Sequence, residues 1–188
     1  MSKSIPNDTE CVAHLKKAGC KKRVIVHCCT VRAVADEMLT AIDADEDLVV
    51  AGALLHAIGR SVDQTILHAS IGASIAEKLG LAPELVTIIR KHTGAGLDEQ
   101  DVIEYGLPPG DYIPRTIEEK IVAHADNLVH DDRVVGHMYS VDKMRSRGFE
   151  RGATRMEALH KELSALYGED LDVIPGKIGE CPKLKCFT

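Results

Sequence analysis

Apolar residues recur every three or four positions along most of this chain, the period of a helix packed on one face. Asn7 to Ala18 reads as a first helix. Asn7 caps it, Glu10 completes a variant capping box, and Gly19 ends it. Arg23 to Ile42 reads as a longer helix. Its Val24, Cys28, Val31, Ala35, Met38 and Ile42 form one stripe, with His27 on the border. Asp43 to Asp47 is an acidic turn, and Asp47 is a good N-cap. Leu48 to Ile58 is apolar on nearly every side up to His56, so it is expected to lie buried between other helices, with Gly59 as its stop. Thr65 to Leu79 places His68, Ile71, Ile75 and Leu79 on one face. Pro83 fits a first helical position, and Leu85, Ile89 and His92 share the face that follows, before Gly94-Ala95-Gly96.

The pattern then changes. Leu97 to Arg115 carries Pro108-Pro109-Gly110 and Pro114, which forbid a continuous helix, although Asp98 to Tyr105 suits a short one. A connector this long is often a functional lid. Thr116 and Glu119 make a capping box for a helix over Ile117 to His130. Asp131 to Ser146 reads as partly helical, and Thr154 to Tyr167 as amphipathic. Residues 1–168 are expected to form one helical domain, with its chemistry in 7–135; residues 169–188 read as a tail. The fold class is all-α.

Composition narrows this further. The 188 residues are 45% hydrophobic but only 3% aromatic, with no Trp, so Val, Ile, Leu and Ala must fill the core. A net charge of −6 argues against an extended nucleic-acid surface. No stretch approaches the roughly 20 apolar residues of a membrane span, and Met1 to Glu10 has no apolar leader core. A cytoplasmic protein is expected, with its six cysteines mostly reduced. Cys181 and Cys186 have no second cysteine pair or histidine nearby, so they read as part of a plain tail rather than a zinc site.

Chemistry enters with His27, His56, His68, His92 and Asp126. Each sits on or beside an apolar helical face, where an unpaired polar group costs on the order of 2–7 kcal/mol. A single such histidine is usually a hydrogen-bonded core residue. Five such residues on five helices would be satisfied together by a divalent cation, and nitrogen with oxygen donors suits iron, manganese, nickel or zinc. Spacing alone leaves this reading level with a purely structural one, in which the histidines are merely satisfied in a core. Asp126, in Ile121-Val122-Ala123-His124-Ala125-Asp126-Asn127-Leu128-Val129, needs a cation or several donors.

The series resembles the HD-domain superfamily of metal-dependent phosphohydrolases, in its HDIG-type branch. His27 matches the first histidine. Leu54-Leu55-His56-Ala57-Ile58-Gly59 matches a Leu-Leu-His-Asp-Ile-Gly signature except at Ala57, and Asp126 matches the late aspartate. His68 and His92 resemble the extra histidines of two-metal members. The resemblance implies one or two ions, held by His27, His56 and Asp126 and by His68 and His92. It also implies hydrolysis of a nucleotide or a related small phosphomonoester or phosphodiester. Arg60, Lys91, Arg115 and Lys120 are candidates to bind phosphate. Arg60 directly follows the catalytic His56–Ala57 motif.

Ala57 stands where the family's aspartate bridges the ions. As written, the chain is expected to bind metal weakly and to turn over slowly or not at all. The intact remainder of the set favours an introduced inactivating substitution over natural degeneration. Two other functions share the residue pattern: a di-iron oxygenase of the same superfamily, and a non-catalytic nucleotide-binding sensor. The expected partner is a small phosphorylated, nucleotide-like molecule, not a membrane, and a homodimer is left open.

Overall fold

Side-chain caps set where the helices begin. Asn7 accepts from the Glu10 amide and opens α1 (Asp8–Lys17). Asp45 accepts from Leu48 N–H at 3.0 Å and opens α3 (Glu46–Leu55), two residues earlier than the Asp47 cap expected from sequence. Pro83 opens α5 (Pro83–Lys91), Asp98 caps α6 (Glu99–Glu104) and Thr116 caps α7 (Ile117–Asn127). α2 (Lys22–Leu39) and α4 (His68–Lys78) begin without such a bond. This computed structural model describes residues 4–184 and 186.

The centre of the fold is α3, buried along nearly its whole length, with α1, α2, α5 and α7 packed around it. Gly52 permits that closeness. A Cβ there would lie 2.8 Å from Ile88 Cγ2 and 3.1 Å from Val122 Cγ2. Gly59 is not the helix stop that its sequence context suggests. α3 ends at Leu55, and Ile58–Ser61 forms a 3-10 turn containing Gly59. A Cβ on Gly59 would sit 2.0 Å from the His68 carbonyl oxygen and 2.6 Å from Gly72 N. The glycine is there because the turn after His56 lies directly on the backbone of α4.

Helix α7 ends at Asn127, three residues short of the expected His130. Two short strands follow, β1 (Val129–His130) and β2 (Arg133–Val134), paired antiparallel. Asp131 turns the corner at φ 56°, a left-handed conformation that aspartate tolerates better than most residues.

Beyond the ribbon, α8 (His137–Ser146) and α9 (Glu150–Tyr167) form a hairpin whose α9 starts four residues earlier than expected. A 3-10 turn (Leu171–Val173) and α10 (Ile174–Ile178) follow. Leu171 and Ile174 are fully buried in the main core, so this part of the expected tail is packed. Cys186, expected in a plain tail, is disulfide-bonded to Cys29 on α2, with Cα atoms 6.0 Å apart. Cys11, Cys20, Cys28 and Cys181 are free. Among the described residues, no helix is long and apolar enough to cross a membrane.

A histidine relay joins the hairpin to α7. His160 Nε2 donates to Asp170 Oδ1 at 3.1 Å. Its Nδ1 therefore accepts from His124 Nε2 at 2.9 Å, and His137 stacks on His160 with ring centres 3.6 Å apart. Burial, followed by the nearby His160 and His137, pushes His124 down to about 3. A histidine depressed in the fold stays neutral there but protonates near its ordinary value of about 6.5 when unfolded. Its stabilising contribution is complete above that value and is lost as pH falls toward 3. The melting temperature is therefore expected to drop between pH 7 and pH 5, and to drop less in His124→Gln, which keeps a donor to His160 without titrating. An equal drop in both proteins would remove His124 as a cause.

Gly59→Ala should destabilise the chain by about 3 kcal/mol, at the upper end of overpacking costs. Gly176→Ala, with nothing within 4 Å of its added carbon, is the control. Denaturant midpoints check this, and a Gly59→Ala midpoint equal to that of the control would contradict it.

Candidate metal centre

Four histidines are oriented in the same way. His56 caps α3, and its Nδ1 donates to the Ala53 carbonyl at 2.8 Å. Nδ1 of His68 donates to Thr65 at 2.6 Å, and Nδ1 of His92 to Ile89 at 2.7 Å. In each case the acceptor lies three residues back, one turn along the same segment. His27, on α2, donates from Nδ1 to the Asp131 carbonyl at 2.8 Å, across the β1–β2 turn. A neutral imidazole carries one hydrogen, so in its neutral form each ring turns an unprotonated Nε2 toward its neighbour. Anchoring one ring nitrogen to a carbonyl is how proteins orient metal-binding histidines.

Those nitrogens face each other. His27 Nε2 lies 3.2 Å from His56 Nε2, and His68 Nε2 lies 3.0 Å from His92 Nε2. Two bare nitrogens cannot satisfy one another. Each pair calls for a proton or a cation between them. Asp126, on the last turn of α7, places Oδ1 at 2.9 Å from His27 Nε2 and 3.4 Å from His56 Nε2. One ligand atom each from His27, His56 and Asp126 falls within a 4.8 Å cluster. Those donors fit a divalent cation.

The ionisation pattern separates the two pairs: Asp126 favours a proton on His27, whereas none is favoured between His68 and His92. Burial alone would lower His27, but the hydrogen bond and charge of Asp126 and the Asp131 carbonyl raise it. Burial would raise Asp126, yet the charge of His56 and hydrogen bonds to His27 and His56 hold it well below the carboxylate range. His68 falls to about 4, chiefly from burial and then from the Arg60 charge. His92 is lowered by burial and by His56 and His68. His68 and His92 are therefore neutral at pH 7, which suits cation binding more than phosphate binding. Ala57, fully buried beside His56, offers no oxygen to either pair.

A cavity of about 890 Å³ opens over His27 and Asp126. Arg60 lines it. So do Lys22, Arg23 and Lys143, which the sequence reading did not single out. Gln64 links the two guanidinium groups, accepting from Arg23 through its side chain and from Arg60 through its carbonyl, both at 3.3 Å. Arg23 lies four residues before His27 on one helix, and that spacing was a usable signal. Lys143 belongs to α8 and carried none.

The other three basic candidates lie elsewhere. Lys91 is buried between Glu119 at 3.3 Å and Asp111 at 3.2 Å. Arg115 is exposed and paired with Asp111 at 3.0 Å, and Lys120 is paired with Glu162 at 2.6 Å. None of them lines the cavity. Their charges are spent on positioning the 97–115 connector and on bridging α7 to α9.

The HD domain family matches residues 24–131, more than half of the chain. The chain belongs to the HD domain family. Its relatives include proteins named tRNA (cytidine(56)-2'-O)-methyltransferase. The one from Picrophilus torridus is 44% identical over 172 residues, covering 92% of this chain and 50% of that protein. The one from Thermoplasma volcanium is 43% identical, covering 92% and 51%. An uncharacterized protein of Methanocaldococcus jannaschii is 47% identical over 115 residues, covering 58% of this chain and 68% of its own. The chain thus spans about half the length of the two methyltransferase-named relatives. No solved structure matches it.

A second group, His137, His160 and Asp172, also has ligand atoms within 4.8 Å. Its two imidazoles are stacked 14° from parallel, so they cannot both aim in-plane lone pairs at one ion. Adding Mn²⁺, Ni²⁺ or Zn²⁺ should raise the melting temperature through binding to the folded state, and Asp126→Asn should reduce that rise. A rise that survives in Asp126→Asn but disappears in Asp172→Asn would place the ion in the second group instead.

Proposed function

We propose that this chain is a divalent-metal phosphohydrolase module acting on a small phosphate ester, with its chemistry weakened by Ala57. The observation that carries the reading is the set of four carbonyl-anchored imidazoles whose Nε2 atoms face one another, with His27 and Asp126 lining a cavity that also holds Arg23 and Arg60. His27, His56 and Asp126 hold one cation. His68 and His92 hold a second, or complete the shell of the first. A cation bound there supplies Lewis-acid activation of water and of a phosphoryl oxygen.

The chain's own residues do the rest. Arg23 and Arg60 offset the charge of an incoming phosphate, and Gln64 sets their spacing. His56 and His27 keep their tautomers through backbone carbonyls, so neither ring must reorganise as charge builds. An aspartate at position 57 would stand next to His56 and supply the carboxylate oxygens that alanine lacks. The methyltransferase activity in the names of the relatives belongs, on this reading, to the half of those proteins that this chain does not span. Because those names specify tRNA, phosphorylated RNA ends are worth testing beside free nucleotides.

The test compares the chain with its Ala57→Asp variant. Bound metal, by elemental analysis, should rise by about tenfold or more at limiting metal, as should hydrolysis over a panel of esters, read as released phosphate for monoesters and as nucleoside monophosphate for cyclic nucleotides. The panel should hold nucleoside monophosphates, cyclic nucleotides and RNA bearing terminal phosphates. If metal rises but no ester is cleaved, the hydrolase reading is wrong; oxygen uptake by the iron-loaded variant would then favour the oxygenase.

A further inference from the structure

A second cavity, of about 550 Å³, adjoins the basic one, and the two share Asn127, Ser140 and Lys143 as a common wall. Its far side is built by α8 and α9, which lie outside residues 24–131 matched by the family. The cavity is therefore shared between the family core, which supplies Thr93, Leu97 and Tyr105, and the α8–α9 hairpin, which supplies Phe149 and Met156. The volume falls in the range of small-ligand pockets.

The lining is amphipathic in a particular way. Tyr105 and Phe149 meet edge to face at its rim, ring centres 5.8 Å apart and 87° between planes. The chain has only four Tyr and two Phe, so a third of its phenyl-type rings are at this one place. Leu97 and Met156 supply apolar walls. Two polar atoms on lining residues, Thr93 Oγ1 and Arg155 Nε, are buried without a hydrogen-bond partner. An orphaned buried group costs stability unless a ligand satisfies it. A hydrocarbon chain would fill the space and leave both atoms unmet. A flat heterocycle with donors and acceptors at its edge meets both demands.

We infer that this cavity is the subsite for the nucleobase of a nucleoside phosphate whose phosphate lies in the adjoining basic cavity. The base stacks at Tyr105 and Phe149, its edge reaches toward Thr93, and the ribose crosses the wall at Asn127, Ser140 and Lys143. The inference deepens the phosphohydrolase reading and depends on it only for the phosphate end.

Two measurements separate the two ideas. In the first, adenosine, guanosine, cytidine and uridine, all without phosphate, are titrated calorimetrically into the unaltered chain. At least one should bind with a submillimolar Kd that weakens about tenfold in Phe149→Ala and also weakens in Thr93→Val. Phe149 is partly exposed, so its loss leaves the core intact. If no nucleoside binds, or binding is indifferent to both substitutions, the subsite is refuted whatever the fate of the hydrolase. In the second, the Ala57→Asp background is assayed on the best-bound nucleoside's 5′-monophosphate and on ribose 5-phosphate. Phe149→Ala should lower kcat/KM about tenfold for the first and leave the second unchanged. Equal loss on both esters would overturn the inference while sparing the hydrolase. No cleavage of either, with nucleoside binding intact, would sink the hydrolase and spare the subsite.

Discussion

Everything at the centre of this molecule answers to one electrostatic demand. Four imidazoles, three of them buried and His27 half-buried, each commit a hydrogen to a backbone carbonyl and bring their Nε2 atoms together in two facing couples at 3.2 and 3.0 Å. A buried polar group without a partner is among the costlier features a fold can carry. Here the cost is concentrated where two helix ends, one helix start and the face of a fourth helix converge. The carboxylate of Asp126 partly compensates one couple. Among the described residues no carboxylate bonds the other, and the position where a carboxylate would fall in this family holds Ala57. A site with its nitrogen donors arranged and one carboxylate missing is poised for a cation but short of the charge that would retain it.

Precision at this site comes from close backbone approach rather than from large side chains. With Gly59 against the His68 carbonyl, the turn after His56 and the first residue of α4 lie in direct contact. The two histidine couples therefore cannot drift apart independently. Gly52 does the same for α3 against α5 and α7, which carry His92 at one end and Asp126 at the other. Small residues let the ligand-bearing segments share one core, and the β1–β2 turn brings a carbonyl to the one ring, His27, that finds no carbonyl on its own helix.

Much of this could be read from the residues. Periodicity and caps located α1, α2, α5 and α7 to within a few positions, because those signals are local and strong. The five ligand candidates were legible because polar residues in apolar runs are costly enough to demand a reason. Gly59 was found but given the wrong cause: a glycine after a helix usually ends it, and nothing local shows that another backbone passes at contact distance. Lys91, Arg115 and Lys120 were assigned to phosphate because a cation near a motif looks available. The partners of Lys91 (Asp111 and Glu119) and of Lys120 (Glu162) come from other segments, so only the fold reveals that those two are taken; Asp111 lies four residues before Arg115, a local pairing legible in the sequence. Lys143 and the Cys29–Cys186 bond were invisible for the same reason, since both depend on contacts distant in sequence.

The shared wall formed by Asn127, Ser140 and Lys143 has a consequence for how such a protein diversifies. Asn127 is rooted one residue after Asp126, whereas Ser140 and Lys143 ride on α8. Exchange of the helical hairpin would redraw the partition between the two chambers while the facing histidines and Asp126 stayed fixed. An ancestral core of this kind can be re-addressed to new molecules by its appendage alone, and lineages would then keep their reaction centre while trading the company it keeps.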